Sequence, residues 1–189
     1  MVLERSEREL VEACQRGERD AFRALFDAYK DHVYSIALRF SGDPAMAMDL
    51  AQDTFLKLFS CIREFRGDSA FSTWVYRLVV NSCLDHKRRS WRWIPIADDL
   101  LAALRAPADS LRAVLETEMR QRVQAAVEKL SPDLRMVTVL RYTEGLSYDQ
   151  IAGVMGCSSG TVASRLNRAH KVLERKLSHF VSTQGARHV

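Results

Sequence analysis

Hydroxyl and guanidinium side chains are interspersed with apolar ones between Ser158 and Leu177. The apolar residues recur at steps of four, three, four and four, which predicts a helix with one buried face. The other faces carry Ser164, Arg165 and Arg168, whose side chains can hydrogen-bond to base edges and phosphates. Five cationic side chains stand against one glutamate in this stretch. The chemistry that these residues suit is the binding of duplex DNA in its major groove.

The residues just before this helix predict that it is the second helix of a helix-turn-helix. Ser147 followed by Gln150 is a capping-box start for a first, shorter helix. Gly156 then allows a tight turn, and Ser158 or Ser159 can cap the second helix. An amphipathic helical hairpin that never meets DNA has the same pattern and is the alternative interpretation.

A second segment, FRGDSAFSTWVYRLVVNS (Phe65–Ser82), combines an aromatic-flanked loop with a helix. Aromatic rings beside a basic helix can stack on bases displaced from a duplex, at roughly 1–3 kcal/mol per base. Asn81 carries the paired donor and acceptor that read a base edge. Phe71 and Trp74 have the spacing of a helical core, so we assign them to the core and favour Phe65 as the base contact.

Positive charge is concentrated rather than spread along the chain. The whole chain has a formal net charge of only +4, yet residues 77–93 hold five cationic side chains against one aspartate. Two separate basic segments suggest two contacts with one polyanion. The alternative is that each is a solvated helix end whose cations offset the helix dipole.

The sequence gives no sign of a metal, a cofactor or a membrane span. Its four cysteines are far apart, without a C-x-x-C pair, and are expected to be reduced. His86 and His170 each lack a second ligand nearby in the sequence. No segment resembles a signal peptide, and no apolar run approaches 18 residues. We therefore expect a cytoplasmic protein that is not itself inserted in a membrane.

The pattern of caps and apolar spacing predicts an all-α protein with two small helical domains. Residues 1–90 form a four-helix bundle, with predicted caps at Ser6, Asp20 and Asp43. Residues 91–110 form an acidic linker, and residues 111–178 form the domain that contains the helix-turn-helix. Residues 179–189 are predicted to be a flexible tail.

Three blocks, in order, resemble the extracytoplasmic-function (ECF) group of bacterial sigma factors in the sigma-70 family, especially its envelope-stress sigma-E branch. DLAQDTFLKLF (Asp49–Phe59) is similar to the block that binds the β′ clamp helices of RNA polymerase. FRGDSAFSTWVYRLVVN looks like the promoter-opening block. LRMVTVLRYTEGLSYDQIAGVMGCSSGTVASRLNRA looks like the block that reads the −35 element. The resemblance spans nearly the whole chain and implies a sigma-2-like and a sigma-4-like domain.

The resemblance also implies roles for individual residues. Phe65 and Asn81 match residues that line a pocket for a base flipped out of the −10 strand. The implied −10 contacts are Phe65, Arg66, Asp68, Ser69, Arg77, Asn81, Lys87, Arg88 and Arg89. The implied −35 contacts are Ser159, Thr161, Ser164, Arg165, Arg168 and Lys171. For Arg165 two further roles stay open, a phosphate contact or a structural one. Asp49, Gln52 and Asp53 share one helix face and match the contact to polymerase.

A member of this family is a transcription-initiation factor and not itself an enzyme. The resemblance implies three partners: core RNA polymerase, through its β′ clamp helices and β flap, promoter DNA, and an anti-sigma factor. Ala163 and Asn167 depart from the family pattern on the recognition helix, so the −35 sequence preference is expected to differ from that of relatives.

Two other functions remain open at this point. A helix-turn-helix regulator with a ligand-sensing N-terminal domain explains residues 145–177 but not the two earlier blocks. The second alternative is a helical enzyme with a DNA-binding tail. Against it, the sequence shows no metal cluster, no phosphate loop and no paired nucleophile and base.

Overall fold

The computed structural model describes residues 6–91, 119 and 122–185, and every regular element in those ranges is helical. The N-terminal part contains α1 (Glu7–Gln15), α2 (Arg19–Ser41), α3 (Pro44–Cys61) and α4 (Phe71–Trp91), with a 3-10 turn at Ile62–Glu64. The predicted all-α class and the N-terminal bundle of four helices are confirmed.

Local sequence explains most of the N-terminal helix starts. Ser6 and Glu9 form the predicted reciprocal capping box of α1. The Asp43 side chain caps α3, as predicted. The predicted cap at Asp20 is wrong, because Glu18 occupies the N-cap position of α2. Asp20 lies instead in the first turn, where a negative charge is favoured by the helix dipole.

The C-terminal part contains a helix of which residues 122–128 are described (α5), followed by α6 (Pro132–Tyr142), α7 (Tyr148–Met155) and α8 (Ser159–Gly185). Helix α8 continues into the predicted tail as far as Gly185, since no glycine or proline interrupts the chain from 161 to 184. Most of the predicted linker, residues 92–110, lies outside the described residues.

Helices α7 and α8 form the predicted helix-turn-helix. Ser147 and Gln150 complete the capping box of α7, and Gly156 ends that helix with a φ of 63°, in the left-handed region that glycine tolerates. The hydroxyl oxygen of Ser158 accepts a hydrogen bond from the amide of Thr161 over 3.1 Å. Ser158, rather than Ser159, is therefore the residue that caps α8.

The two helical domains pack against each other and share one hydrophobic cluster. Helix α4 contacts α7, and α2 contacts α6. Arg135 of α6 is buried, and its Nη1 donates to the carbonyl oxygen of Phe40 on α2 over 2.8 Å. Its guanidinium carbon also lies 5.4 Å from the Phe40 ring centroid. These contacts join the two domains through α4 with α7 and through α2 with α6.

Candidate nucleic-acid interface

A pocket of roughly 420 Å³ lies between α1 and the loop that joins the 3-10 turn to α4. Phe65, Arg66 and Ser69, three of the predicted −10 residues, are among the residues that line it. Gly67 turns the loop with a φ of 80°. Asp68 is exposed on the same loop but outside the pocket lining. The structure thus brings three sequence-predicted residues to one cavity.

Phe65 is half-buried at the edge of an aromatic cluster. Its ring centroid lies 5.2 Å from that of Phe71 and 5.4 Å from that of Trp74. Phe71 is only 3% exposed and Trp74 packs against the core, so their predicted core roles are confirmed. Aromatic pairs at these distances hold each other in place. The cluster therefore fixes the orientation of Phe65 at the pocket.

The predicted −10 residues on α4 stand apart from this pocket. Asn81 is exposed, but it lies about 15 Å along the helix from Phe71 at 1.5 Å per residue. The structure does not bring Asn81 to the pocket beside Phe65, because nearly three helical turns separate it from the loop. Lys87 is half-buried. Arg88 and Arg89 also lie on α4, but their side chains fall outside the described part of the chain.

Several residues on α8 present polar groups to solvent. Ser164, Arg168 and Lys171 are exposed, as expected for contacts to the DNA major groove. The hydroxyl of Thr161 instead lies 2.9 Å from that of Ser158, and the Ser159 hydroxyl donates to Asp149. These two hydroxyls take part in the turn between α7 and α8.

Arg165 behaves differently from its neighbours on α8. Its side chain is only 25% exposed, and its Nη2 donates to a carboxylate oxygen of Asp133 on α6 over 3.3 Å. Its Nη1 lies 4.0 Å from the sulfur of Cys157. Of the two roles that the resemblance left open for Arg165, these contacts favour the structural one.

A third surface is an apolar groove of roughly 490 Å³ between α2 and α3. Gln52 lines it, and Asp49 and Asp53 are exposed on the same helix. Met48 and Leu56, which flank Gln52 at four-residue steps, are 60% and 62% exposed. Sequence reasoning missed these two residues. The signal was available, because apolar residues at 48 and 56 share the face of Gln52 rather than the buried face.

No cluster of three metal-ligating side chains occurs among the described residues. Burial raises the pKa of the Cys14 thiol to about 11 and that of Cys83 to about 12. Both thiols are protonated at neutral pH and are poor nucleophiles in that form. None of the described helices has the length and apolar character needed to span a membrane.

Comparisons with known proteins give the family. The model for sigma-70 region 2 matches residues 25–92, and the model for sigma-70 region 4 matches residues 120–173. The RNA polymerase sigma-H factor of Pseudomonas aeruginosa is 36% identical over 186 residues, covering 94% of this chain and 96% of that protein. The ECF RNA polymerase sigma-E factor of Escherichia coli K12 is 37% identical over 183 residues, covering 91% and 94%. The chain belongs to the ECF group of the sigma-70 family.

This ECF sigma factor is therefore an alternative sigma factor, a subunit for transcription initiation, and the predicted resemblance is confirmed. The solved structure of CnrH in complex with the cytosolic domain of CnrY superposes with a TM-score of 0.68 at 26% identity, covering 92% of this chain and 97% of that one. The sigma factor RpoE in complex with the anti-sigma factor NepR, from Bartonella quintana, gives 0.64 at 24%, covering 83% and 96%. The likeness to RpoE, at 24% identity, supports the fold alone.

The residues that match sigma-70 region 2 include the apolar groove, the Phe65 loop and α4, but the match begins after α1. One face of α1 nevertheless lines the Phe65 pocket of this ECF sigma factor. The sequence did not reveal that α1 lines this pocket, because the amphipathic pattern of a helix does not indicate which ligand its polar face contacts.

Proposed function

We propose that this sigma factor reads the −10 element as a displaced strand and the −35 element as duplex. The observation that carries the proposal is the pocket at Phe65, where an aromatic ring held by its neighbours lines an open cavity. A base that leaves the duplex loses stacking worth a few kcal/mol, and stacking on Phe65 offsets part of that loss. Arg66 and Arg77, which are both exposed, serve the phosphates on either side.

The −35 element is bound through the exposed face of α8. Ser164 and Arg168 contact base edges, and Lys171 contacts a phosphate. Ser159 and Thr161 stand at the N-terminal end of α8, which in a helix-turn-helix lies deepest in the major groove. Asn167 is exposed on the same helix. This exposure supports its proposed role in giving this protein a −35 sequence preference that differs from that of its relatives.

Core RNA polymerase binds at the apolar groove of α2 and α3. Exposed apolar side chains bordered by polar groups are typical of protein interaction sites. Asp49 and Asp53 steer the basic clamp helices of β′ toward the groove, and Gln52 lies within it. The helix-turn-helix domain meets the β flap, a contact that rests on the family alone.

Promoter binding requires the two domains to separate. The −35 and −10 elements are about 25 base pairs apart, or roughly 85 Å at 3.4 Å per base pair. In the packed arrangement α7 lies directly on α4, with a carbonyl of Gly153 only 2.8 Å from Arg77. An anti-sigma factor that favours the packed arrangement keeps the protein inactive. The likeness to CnrH, solved in complex with the cytosolic domain of CnrY, supports a protein partner for this fold.

The chain supplies recognition, while polymerase supplies the nucleotidyl transfer, so the protein is not an enzyme and needs no cofactor. It acts in the cytoplasm, where polymerase and chromosome are found.

Run-off transcription with purified core polymerase and genomic promoter fragments tests the proposal. We expect transcripts from discrete start sites that depend on this chain, and fewer of them with Phe65→Leu. A conventional helix-turn-helix regulator would bind duplex DNA without core polymerase and start no transcripts. A chain that neither binds core polymerase nor directs specific initiation would refute the proposal.

A further inference from the structure

Lys57 lies on α3 between the apolar groove and α4. The residue before it, Leu56, lines the groove, whereas the ammonium of Lys57 reaches Ser82 on α4. Ser82 is the next residue after Asn81. Lys57 itself is neither part of the groove lining nor one of the predicted −10 contacts. Its side chain therefore connects the proposed polymerase surface with the helix that carries Asn81.

The ammonium of Lys57 is shared between two acceptors. Its Nζ lies 2.7 Å from Oδ2 of Asp53 and donates to the hydroxyl oxygen of Ser82 over 3.0 Å. An ammonium group has three N–H donors, so both contacts can exist at the same time. Asp53 is one turn away on the same helix, while Ser82 belongs to the neighbouring helix. One side chain thus holds a surface carboxylate and a second helix together.

The two acceptors differ in their exposure to water. The Asp53 side chain is 51% exposed, whereas Ser82 is only 2% exposed. An ion pair between exposed side chains is weak, because water and salt screen it. A buried hydroxyl that loses its partner is costly, because no water takes the partner's place. A competing cation therefore displaces Lys57 from Asp53 more readily than from Ser82.

We propose that Lys57 is a positioning residue that serves the polymerase-binding and −10-binding surfaces together. In the free protein it masks the charge of Asp53, and through Ser82 it fixes α4 beside Asn81. A cation of polymerase that pairs with Asp53 leaves the ammonium of Lys57 to Ser82. The inference rests on the proposed function, in which Asp53 faces polymerase and Asn81 contacts the −10 element.

The position of α4 matters because Asn81 has to meet its ligand with accurate geometry. A binding side chain works only when the residues behind it hold it within about 0.5 Å of the productive position. The bond from Lys57 supports α4 at the residue next to Asn81. Loss of this bond should therefore weaken the −10 contact even where the helix remains folded.

The test is Lys57→Met, which keeps the apolar stem and removes the ammonium. We expect two changes of opposite direction. Association with core polymerase should become about two- to threefold faster at low salt, because Asp53 then attracts polymerase without its masking cation. Open-complex formation at saturating core polymerase should fall about tenfold, because α4 loses a charged hydrogen bond. The faster association should disappear at high salt.

Three further variants separate the two roles. Lys57→Arg keeps the charge and the donors, and should restore both measurements toward those of the unmodified protein. Ser82→Ala should lower open-complex formation but leave the association rate unchanged. Arg16→Met is the matched control, because it removes the cation from another exposed ion pair, with Glu18 over 2.8 Å, at the end of α1. It should change neither measurement.

A merely structural role for Lys57 predicts a different pattern. Lys57→Met would then slow association and open-complex formation together, in step with a lower melting temperature. That result overturns the inference, as does a Lys57→Met protein with both measurements unchanged, a failure of Lys57→Arg to restore them, or an equal effect of Arg16→Met. Absence of core-dependent transcription by the unmodified protein would instead overturn the proposed function itself.

Discussion

Nε of Arg77 donates a hydrogen bond to the carbonyl oxygen of Gly153 over 2.8 Å, joining α4 of the first domain to α7 of the second. Arg77 is also one of the predicted −10 contacts. A DNA strand that approaches Arg77 in this arrangement meets α7. The hydrogen bond thus ties a predicted −10 contact to the second domain.

A buried carboxylate supports the same packing. The Glu144 side chain is 3% exposed, and one of its oxygens lies 2.7 Å from Nδ1 of His32 on α2. The same oxygen accepts from the hydroxyl of Tyr76 on α4 over 3.5 Å. Burial and the nearby carboxylate raise the pKa of Tyr76 to about 12, so this phenol keeps its proton at neutral pH. Glu144 therefore bridges two helices of the first domain.

Replacing Glu144 should loosen the packed arrangement. Glu144→Ala removes the acceptor for both His32 and Tyr76, which we expect to cost about 1–3 kcal/mol of packing. The radius of gyration of the free protein, measured by X-ray scattering in solution, should rise. Glu174→Ala, an exposed acid on α8, is the control and should leave the scattering unchanged. Identical curves for both variants would mean that Glu144 does not hold the domains together.

The features predicted well from the sequence are the local ones. The capping boxes of Ser6 with Glu9 and of Ser147 with Gln150 involve residues three apart, so their geometry follows from the helix itself. The wrong cap at Asp20 shows the limit of this reasoning, since a carboxylate suits the first turn as well as the N-cap.

The features that the sequence did not reveal depend on distant contacts. The structural role of Arg165 needs Asp133, which is 32 residues away. The position of α1 beside the Phe65 pocket depends on Gln15, which donates a hydrogen bond to a carbonyl oxygen 50 residues further on. Nothing in the local pattern of either helix indicates these partners, because folding of the whole domain brings them together.

Phe65→Leu should impair strand opening more than duplex binding. Leucine keeps an apolar contact with Phe71 and Trp74 but removes the flat ring face, so about 1–3 kcal/mol of stacking is lost. Open-complex formation, followed with a fluorescent base in the −10 strand, should fall roughly ten- to hundredfold. Binding to −35 duplex by the same protein is the internal control. Equal losses in both assays would argue against a base pocket at Phe65.

The separation of Asn81 from the pocket predicts that it acts independently of Phe65. Asn81→Ala should also weaken open-complex formation. Because about 15 Å of helix α4 lies between Asn81 and the start of the helix beside the pocket, the free energies of the two changes should add within about 0.5 kcal/mol in the double variant. The measurement is a double-mutant cycle on the open-complex equilibrium. A coupling well above that value would place both residues on the same base.

Leu56→Asp should weaken binding to core polymerase. Leu56 is 62% exposed, so a charge there costs the fold little, but it would be buried against an apolar partner. We expect a loss of at least about tenfold in affinity, measured with labelled protein and purified core, at an unchanged melting temperature. Ser60→Asp adds the same charge to an exposed site on α3 outside the groove. Similar losses in both variants would exclude a specific role for the groove.

The acidic residues of α3 should act mainly on the rate of association. Asp53 already pairs with Lys57 over 2.7 Å at the surface, and such pairs contribute only about 0–1 kcal/mol to stability. Asp49→Ala combined with Asp53→Ala should therefore slow association with core polymerase while leaving the fold intact. The effect should shrink as salt rises, because screening removes long-range attraction. Unchanged association at low salt would remove these residues from the interface.

Arg165 and Arg168 lie one turn apart on α8, yet their replacement should have opposite consequences. Arg165→Gln loses the contact with Asp133, so we expect a loss of about 1 kcal/mol in the free energy of unfolding. Arg168→Ala should leave unfolding unchanged but weaken −35 binding by about 1–3 kcal/mol if it reads a base. Thermal melts and titrations with −35 duplex at several salt concentrations separate the two effects.

Asp133→Asn should reproduce the stability loss of Arg165→Gln, and the double variant should lose little more than either, because all three remove the same contact. If Arg165→Gln weakened DNA binding at full stability, Arg165 would be a DNA contact after all.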